Sequence, residues 1–422
     1  MKNIIIREAY DWIYMDPHHA AGLTVIEWES LLLFLNQKYQ NENIVEYSNG
    51  KVRFINLVGV IQLKTVRIEI LPKIDLYQGN LEINRHALLN MLLVTKKLPI
   101  QIHVKTLSSY EKVDLSHVLA NLYITELYKE LKRGIYRDYH PLADNINHLK
   151  GRLVISQHIR KNAFLPINAF CEYDELSPNI PFNQVLKAAL KAIYPYVQNT
   201  SLKSQSMMIF QIFKEVDDVY VTLSTLKNIQ CNRQNQHYEG VLQIAIAILN
   251  STSMSTGQND HIAFSFLFKM NDLFECYIGE LLKRILISPK YKVDLQHTEK
   301  RLLLNINTGR ENILLKPDFV VSAKQDQNFV PKIILDTKWK NITIDSRLLY
   351  QQSDIYQMYA YIMAYESAER CIIVYPNTEE AALPKWLVPH SSPKKYIEIQ
   401  TVRLDKIQHT LEDLEEVLSS II

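Results

Sequence analysis

The sequence predicts an α/β protein in two parts: an α+β N-terminal half over residues 1–250 and an α/β block over residues 251–422. Three observations predict it. The last block reads as helix, three strands, helix and strand, with one more alternating strand behind it. Residues 1–75 are rich in alternating apolar segments, whereas 76–250 are rich in segments of helical period. Between the parts lies NSTSMSTGQND, residues 250–260, whose small polar side chains suit a linker or an exposed loop.

The elements follow in order. Val25–Tyr39 has helical period inside the β-rich start. Lys51–Leu57 alternates as a strand, and Gly59–Ile74 is expected to form a hairpin. Arg85–Lys97 predicts an amphipathic helix, and Ser116–Gly134 predicts one opened by a Ser cap and stopped by Gly134. Phe182–Val197, Gln205–Val216 and the apolar Tyr238–Leu249 predict three more. In the last block, Phe268–Ile287 predicts a helix stopped by Ser288-Pro289. Arg301–Ile306, Asn312–Ser322 and Lys332–Trp339 predict strands. Leu348–Tyr365 predicts a long helix, and Cys371–Tyr375 and Ile397–Leu404 the remaining strands.

Composition narrows the function. At 422 residues, 47% hydrophobic and 22% charged, the chain is an ordinary folded protein of two or three domains. A net charge of +2 excludes a polybasic nucleic-acid binder, so contact with nucleic acid must come from local patches or from a partner. Cys171, Cys231, Cys276 and Cys371 form no CxxC pair, fit no zinc spacing and build no disulfide framework, which suits the reducing cytoplasm. The start resembles no signal peptide, and no apolar run is long enough to span a membrane. Neither GxxxxGK[ST] nor GxGxxG occurs, so nucleotide chemistry would belong to another subunit.

Chemistry concentrates in three signals in the last block: Lys316-Pro317-Asp318-Phe319, Ile333-Ile334-Leu335-Asp336-Thr337-Lys338, and Gln357 with Tyr361 one helical turn later. Asp336 and Lys338 share a face of their strand. A hairpin turning at residue 327 sets Asp318 opposite Asp336. Like charges opposed in a sheet are destabilising unless a cation neutralises them, and carboxylate oxygens suit Mg2+ or Mn2+. Lys338 beside that cation would orient a water and offset charge on a phosphate. The plainer alternative is a cross-strand ion pair on a wet face. Glu275 can turn toward the sheet from the 268–287 helix and supply a further ligand, or remain a boundary residue; Glu280 suits an exposed ion pair. Gln357 and Tyr361 can support the site or DNA, or belong to an aromatic core stripe. Asn147–Phe164 carries Lys150, Arg152, Arg160 and Lys161 and no acid, a candidate contact with DNA or a partner as well as an ordinary solvated face.

The residues then resemble a known family. Pro317-Asp318 with Asp336-Thr337-Lys338 resembles the PD-(D/E)xK nuclease signature, and Gln357-x-x-x-Tyr361 its RecB-like elaboration. MNDLFECYIGELL, KPDFVV, ILDTKWK and DIYQMYAYIMAY together resemble the McrC family. So do GVIQLKTVRIEILPKI, ELYKELKRGIYRDY, NHLKGRLVISQHI and EYDELSPNIPFNQVLKAAL from the N-terminal half.

The resemblance implies a restriction-endonuclease-like C-terminal domain with a central mixed sheet flanked by helices. It implies a partner-binding N-terminal region over 1–250. It further implies the nuclease subunit of a modification-dependent restriction system. Such a subunit works with McrB, a hexameric AAA+ GTPase that holds the GTP and the reader of modified DNA. Asp318 and Asp336 would then bind Mg2+, with Glu275 acting through its water shell. Lys338 would position the attacking water, and Gln357 and Tyr361 would support it. A free-standing RecB-like nuclease and a non-catalytic adaptor of an AAA+ NTPase are the alternatives.

Overall fold

The strand Ile262–Lys269 pairs antiparallel with Leu57–Leu63, and this long-range pairing decides how the chain is divided. In the computed structural model, residues 2–39, 44–63, 65–74, 80–95, 115–164, 167–197, 199–252, 262–344, 347–378 and 382–421 are described. One unit joins Met1–Leu115 to His261–Ile422, and Ser116–Asp260 form the second. The division therefore departs from the expected halves 1–250 and 251–422. No strand is expected at residues 262–269, and their partner lies in the N-terminal sheet. Of the expected linker, residues 250–252 finish the helix Glu239–Thr252, and 253–260 fall outside the described residues.

In the first unit, β1 (Lys2–Arg7), β2 (Leu57–Leu63), β3 (Val66–Leu71) and β4 (Ile262–Lys269) form a sheet in the order β1-β3-β2-β4. The expected hairpin is β2 with β3, and both strands are buried along their whole length. Helix α1 (Val25–Lys38) begins at Thr24, whose hydroxyl accepts from Glu27 N while Glu27 reaches back to the Thr24 backbone. That capping box answers two of the helix's unpaired amides. Helix α2 (Leu81–Val94) is tied to β3 by Arg85, whose guanidinium meets the buried Glu69 carboxylate at 2.8 and 2.6 Å.

The same unit holds a six-stranded mixed sheet. Its strands are β5 (Tyr291–Leu295), β6 (Phe319–Gln325), β7 (Asn328–Thr337), β8 (Arg370–Pro376), β9 (Lys385–Leu387) and β10 (Tyr396–Val402), in the order β5-β6-β7-β8-β10-β9. β6 and β7 form an antiparallel hairpin turning at Asp326 and Gln327, with Asp326 at φ 53°. β7, β8 and β10 run parallel. Pro331, which cannot donate to a ladder, sits at the register shift of the hairpin, beyond the stretch of β7 that pairs with β8. The expected strand 312–322 is two strands, Arg310–Leu314 and β6, separated by Lys316-Pro317-Asp318. Arg310–Leu314 pairs with Arg301–Asn305 in an exposed hairpin of its own.

Helices cover both faces of this sheet. α3 (Met270–Ile285) lies against β6 through Gly279, where an added Cβ would stand 2.9 Å from the Phe319 ring. Glycine lets the helix come that close. α5 (Ile407–Leu418), which the sequence reading missed, joins α3 through Tyr277 and Thr410 at 3.1 Å. α4 (Gln352–Ala364) covers the opposite face, where Met358, Tyr361 and Ile362 pack with Val320, Ile334 and Ile373.

The second unit contains the helices Leu115–Leu131, Pro181–Ile193, Thr200–Ile212 and Glu239–Thr252. The first stops before Gly134, at φ 110°, as expected. Tyr123 is fully buried and donates to Leu186 O at 2.7 Å. A three-stranded antiparallel sheet, Asp138–Ile146, Ala169–Ser177 and Arg152–Leu153, carries the helix Ile155–Asn162.

The end of α4 depends on one side chain. Lys395 is 5% exposed, and its ammonium donates to Ile362 O, Tyr365 O, Glu366 O and Ala368 O at 2.7–3.1 Å. Those carbonyls finish the helix and its exit turn, where no intrahelical donor remains. Lys395→Met keeps the length and removes the donor. It is expected to cost about 2–3 kcal/mol, read in urea denaturation as a lower midpoint at unchanged slope.

Candidate active site

The hairpin register brings the two aspartates together. Phe319 pairs with Leu335, Val320 with Ile334 and Val321 with Ile333, so the next pair outward is Asp318 with Asp336. Asp336 lies on the face that carries α4, on the same side as Ile334. Asp318 is held directly: its Oδ2 accepts from Thr337 N at 2.7 Å and from Thr337 Oγ1 at 2.6 Å. The middle residue of Asp336-Thr337-Lys338 thus fixes the first carboxylate.

Asp336 is 1% exposed, at the point where β7 is flanked by β6 and β8. Its Oδ2 lies 2.5 Å from Lys338 Nζ, an ion pair without the alignment of a hydrogen bond, so this buried oxygen has no directed donor. Burial pushes the Asp336 carboxyl up to about 7, the Asp318 charge adds to the rise, and Lys338 opposes it. Burial alone would lower the Lys338 ammonium, but Asp336, Asp318 and Asp354 outweigh it and hold that pKa above the usual lysine value. Lys338 therefore stays a cation, and its backbone amide donates to Val374 O at 3.0 Å.

Gln357 and Tyr361 act on the segment before β6. Gln357 Nε2 donates to the Tyr361 hydroxyl at 2.7 Å, and that hydroxyl donates to Lys316 O at 3.0 Å. The pair pins Lys316-Pro317-Asp318, the irregular piece whose placement the aspartate needs. Tyr361 is also a core residue, 4% exposed, and burial pushes its pKa to about 12.

Glu275 is half-buried on α3, and Glu280 takes Lys283 at 2.8 Å. Glu275 Oε1 accepts from Gln296 Nε2 at 2.9 Å; burial raises its pKa, and the Asp318 charge adds to the rise. Gln296 N also donates to Asp318 O at 2.8 Å. Among the described residues no group of three or more His, Cys, Asp or Glu is disposed to hold a metal ion, so Glu275 does not complete a three-carboxylate set. The pair Asp318 and Asp336 fits a hard cation by itself. Mg2+ commonly takes one or two carboxylates and keeps several waters, and the buried Oδ2 of Asp336, met only by the Lys338 ammonium, is the oxygen such an ion would use.

Three contributors escaped the sequence reading. Gln296 sits at φ 46° just after β5, and no motif marks it. Asp354 is buried at the start of α4, receives Lys340 Nζ at 2.9 Å and accepts from the Tyr375 hydroxyl at 3.1 Å. Its charge reaches both Asp336 and Lys338. Glu8 is the third, and its contact with Trp339 is described below. The hint available for Asp354 was its place three residues before Gln357 on one predicted helix.

The basic stretch is in the second unit. Its apparent lack of acids is undone by pairing: Arg152 meets Glu172 at 2.5 Å and Lys150 meets Glu175 at 3.6 Å, both from the neighbouring strand. Lys150 also lies over the Tyr173 ring and Lys161 over Phe170, and Arg160 is exposed. The sequence shows a local run of charge but not the acids that a partner strand brings to it.

Comparison with known proteins follows this geometry. The family described as "McrBC 5-methylcytosine restriction system component" matches residues 52–376, a span that contains all six candidate residues of the first unit. The type IV methyl-directed restriction enzyme EcoKMcrBC of Escherichia coli (strain K12) is 18% identical over 271 residues, covering 61% of this chain and 75% of that protein. A chain in the refined half-complex of the tetradecameric assembly of Thermococcus gammatolerans McrB AAA+ hexamers with bound McrC superposes at TM-score 0.73. It is 18% identical, with 100% of both chains covered. A second structure, the Thermococcus gammatolerans McrBC complex, gives TM-score 0.53 at 19% identity, covering 67% of this chain and 88% of that one.

The raised Asp336 pKa has a thermodynamic consequence. A carboxyl whose folded pKa exceeds its unfolded value contributes stability that is complete below the unfolded pKa and is lost as pH rises through the folded one. For Asp336 that window runs from 3.8 to about 7. Asp336→Asn is therefore expected to melt about 2 °C or more above the parent at pH 8 and level with it near pH 4. Thermal scans in chelator across that range check it.

Proposed function

Because the chain belongs to the family of McrBC 5-methylcytosine restriction system components, we propose that it is the DNA-cutting subunit of such a system. The observation that carries this is the shared patch of Asp318, Asp336 and Lys338, in which a buried carboxylate oxygen of Asp336 is paired with the Lys338 ammonium. This is the donor set of the PD-(D/E)xK nucleases, and the mixed sheet with helices on both faces suits their architecture.

Asp318 and Asp336 would hold Mg2+, with Mn2+ an acceptable substitute. The bound cation supplies charge neutralisation for the scissile phosphate and a more acidic water. Asp336 would hold it through Oδ2, and Thr337 fixes the Asp318 carboxylate through two hydrogen bonds. Lys338 Nζ hydrogen-bonds the attacking water and the non-bridging oxygen on which charge builds. Gln357 and Tyr361 keep Lys316-Pro317-Asp318 in register with β7. Glu275, held by Gln296, would orient water bound to the cation.

The partner in this proposal is an AAA+ GTPase of the McrB kind, since McrB hexamers with bound McrC are the context of the superposed chain. The absence of a phosphate loop from this sequence agrees with GTP being held by the partner. The substrate is double-stranded DNA, modified where the partner reads it. Among the described residues no helix is long and apolar enough to cross a membrane.

Plasmid cleavage tests this directly, with Mg2+, GTP and the AAA+ partner each present or omitted, on methylated and unmethylated DNA. Cutting is expected only in the complete mixture. Asp336→Ala is expected to reduce it by at least about a thousandfold, as loss of a group that acts within a catalytic unit does, while stimulation of the partner's GTPase persists. Cutting by the lone chain would instead indicate a free nuclease, and GTPase stimulation without any cutting a ring adaptor.

A further inference from the structure

Glu8, one residue past β1, is fully buried. Its Oε1 accepts a hydrogen bond from the indole Nε1 of Trp339, and its Oε2 has no hydrogen-bond partner. Burial raises its pKa, against the pull of Lys73 and the indole. A buried carboxylate is a costly way to join two surfaces, and an apolar contact would serve better if adhesion were all it did. What it provides is a fixed direction, because a carboxyl oxygen orients the one N–H of an indole.

The place it fixes is significant. Trp339 directly follows Lys338, is 3% exposed, and packs on Phe274, the neighbour of Glu275, with ring centroids 5.3 Å apart. Two residues on, Asn341 Nδ2 donates to the Tyr10 hydroxyl at 3.0 Å, a second bond from the same N-terminal segment. Lys338 is otherwise held by its amide on Val374 O and by the ion pair with Asp336. A cation taking Asp336 weakens that ion pair. The ammonium then depends on the backbone at 338–339 for its direction.

We propose that Glu8 is a positioning residue for the Lys338 ammonium, acting through Trp339, so that the N-terminal sheet sets the geometry of the cleavage site. The inference rests on the nuclease reading of Asp318, Asp336 and Lys338. It adds a residue that lies more than 300 positions away in sequence and outside every motif.

The test is steady-state DNA cleavage by the full chain with its AAA+ partner, GTP and Mg2+. The proteins compared are wild type, Glu8→Leu, Glu8→Gln, Trp339→Phe, the double variant Glu8→Leu/Trp339→Phe, and Asp336→Ala. Glu8→Leu and Trp339→Phe are each expected to lower kcat about tenfold or more with KM unchanged, since small misplacement of a catalytic group is costly. The double variant should be no worse than either single one, because both break the same bond. Glu8→Gln keeps a carbonyl oxygen for the indole and should stay within about threefold of wild type. If Glu8→Leu does not fold, Trp339→Phe, which keeps the packing on Phe274, decides alone. Wild-type kcat in a folded Trp339→Phe, or additive losses in the double variant, would overturn the positioning role while Asp336→Ala still abolishes cutting. No cutting by wild type itself would overturn the nuclease reading, and this inference with it.

Discussion

The site depends on burying one carboxylate beside another. Asp336 lies at 1% exposure on a central strand, next in register to Asp318, with one ammonium in contact and no directed donor on its Oδ2. The neighbouring parts can be understood as holding this unfavourable pair in place. Thr337 grips Asp318, Tyr361 and Gln357 grip the turn before it, and β8 covers the other edge of β7. Strain of this kind is kept where function needs it.

Rigid surroundings keep the pair from relaxing. β7 has an antiparallel neighbour on one side and a parallel one on the other, so it can slide along neither. α4 is finished by the Lys395 ammonium, and α3 is drawn onto Phe319 by Gly279. Each device fixes a helix that carries a residue of the site: Tyr361 and Gln357 on α4, Glu275 on α3.

The first unit also unites the two ends of the chain. β4 completes the N-terminal sheet just before α3 begins, and Glu8 and Tyr10 reach the segment that leaves the catalytic strand. The N-terminal sheet is thus not an appendage to the C-terminal sheet. Through Glu8 it holds Trp339, the residue that follows Lys338.

The sequence by itself determined the α/β class, most of the helices, several of the strands and the pairing of Asp318 with Asp336. Alternation along β6 and β7 and the position of their turn were enough to set Asp318 against Asp336, because a hairpin register is a local property. Only the tertiary structure decided what depends on partners far apart in the chain. It split the expected 312–322 strand at Lys316-Pro317-Asp318, put residues 1–115 with 261–422, and brought Glu172 and Glu175 to the basic stretch. It gave Gln296, Asp354 and Glu8 their roles. Side-chain pattern reports the environment of a residue along its own element, whereas these placements are set by which elements meet, and sequence spacing carries no measure of that.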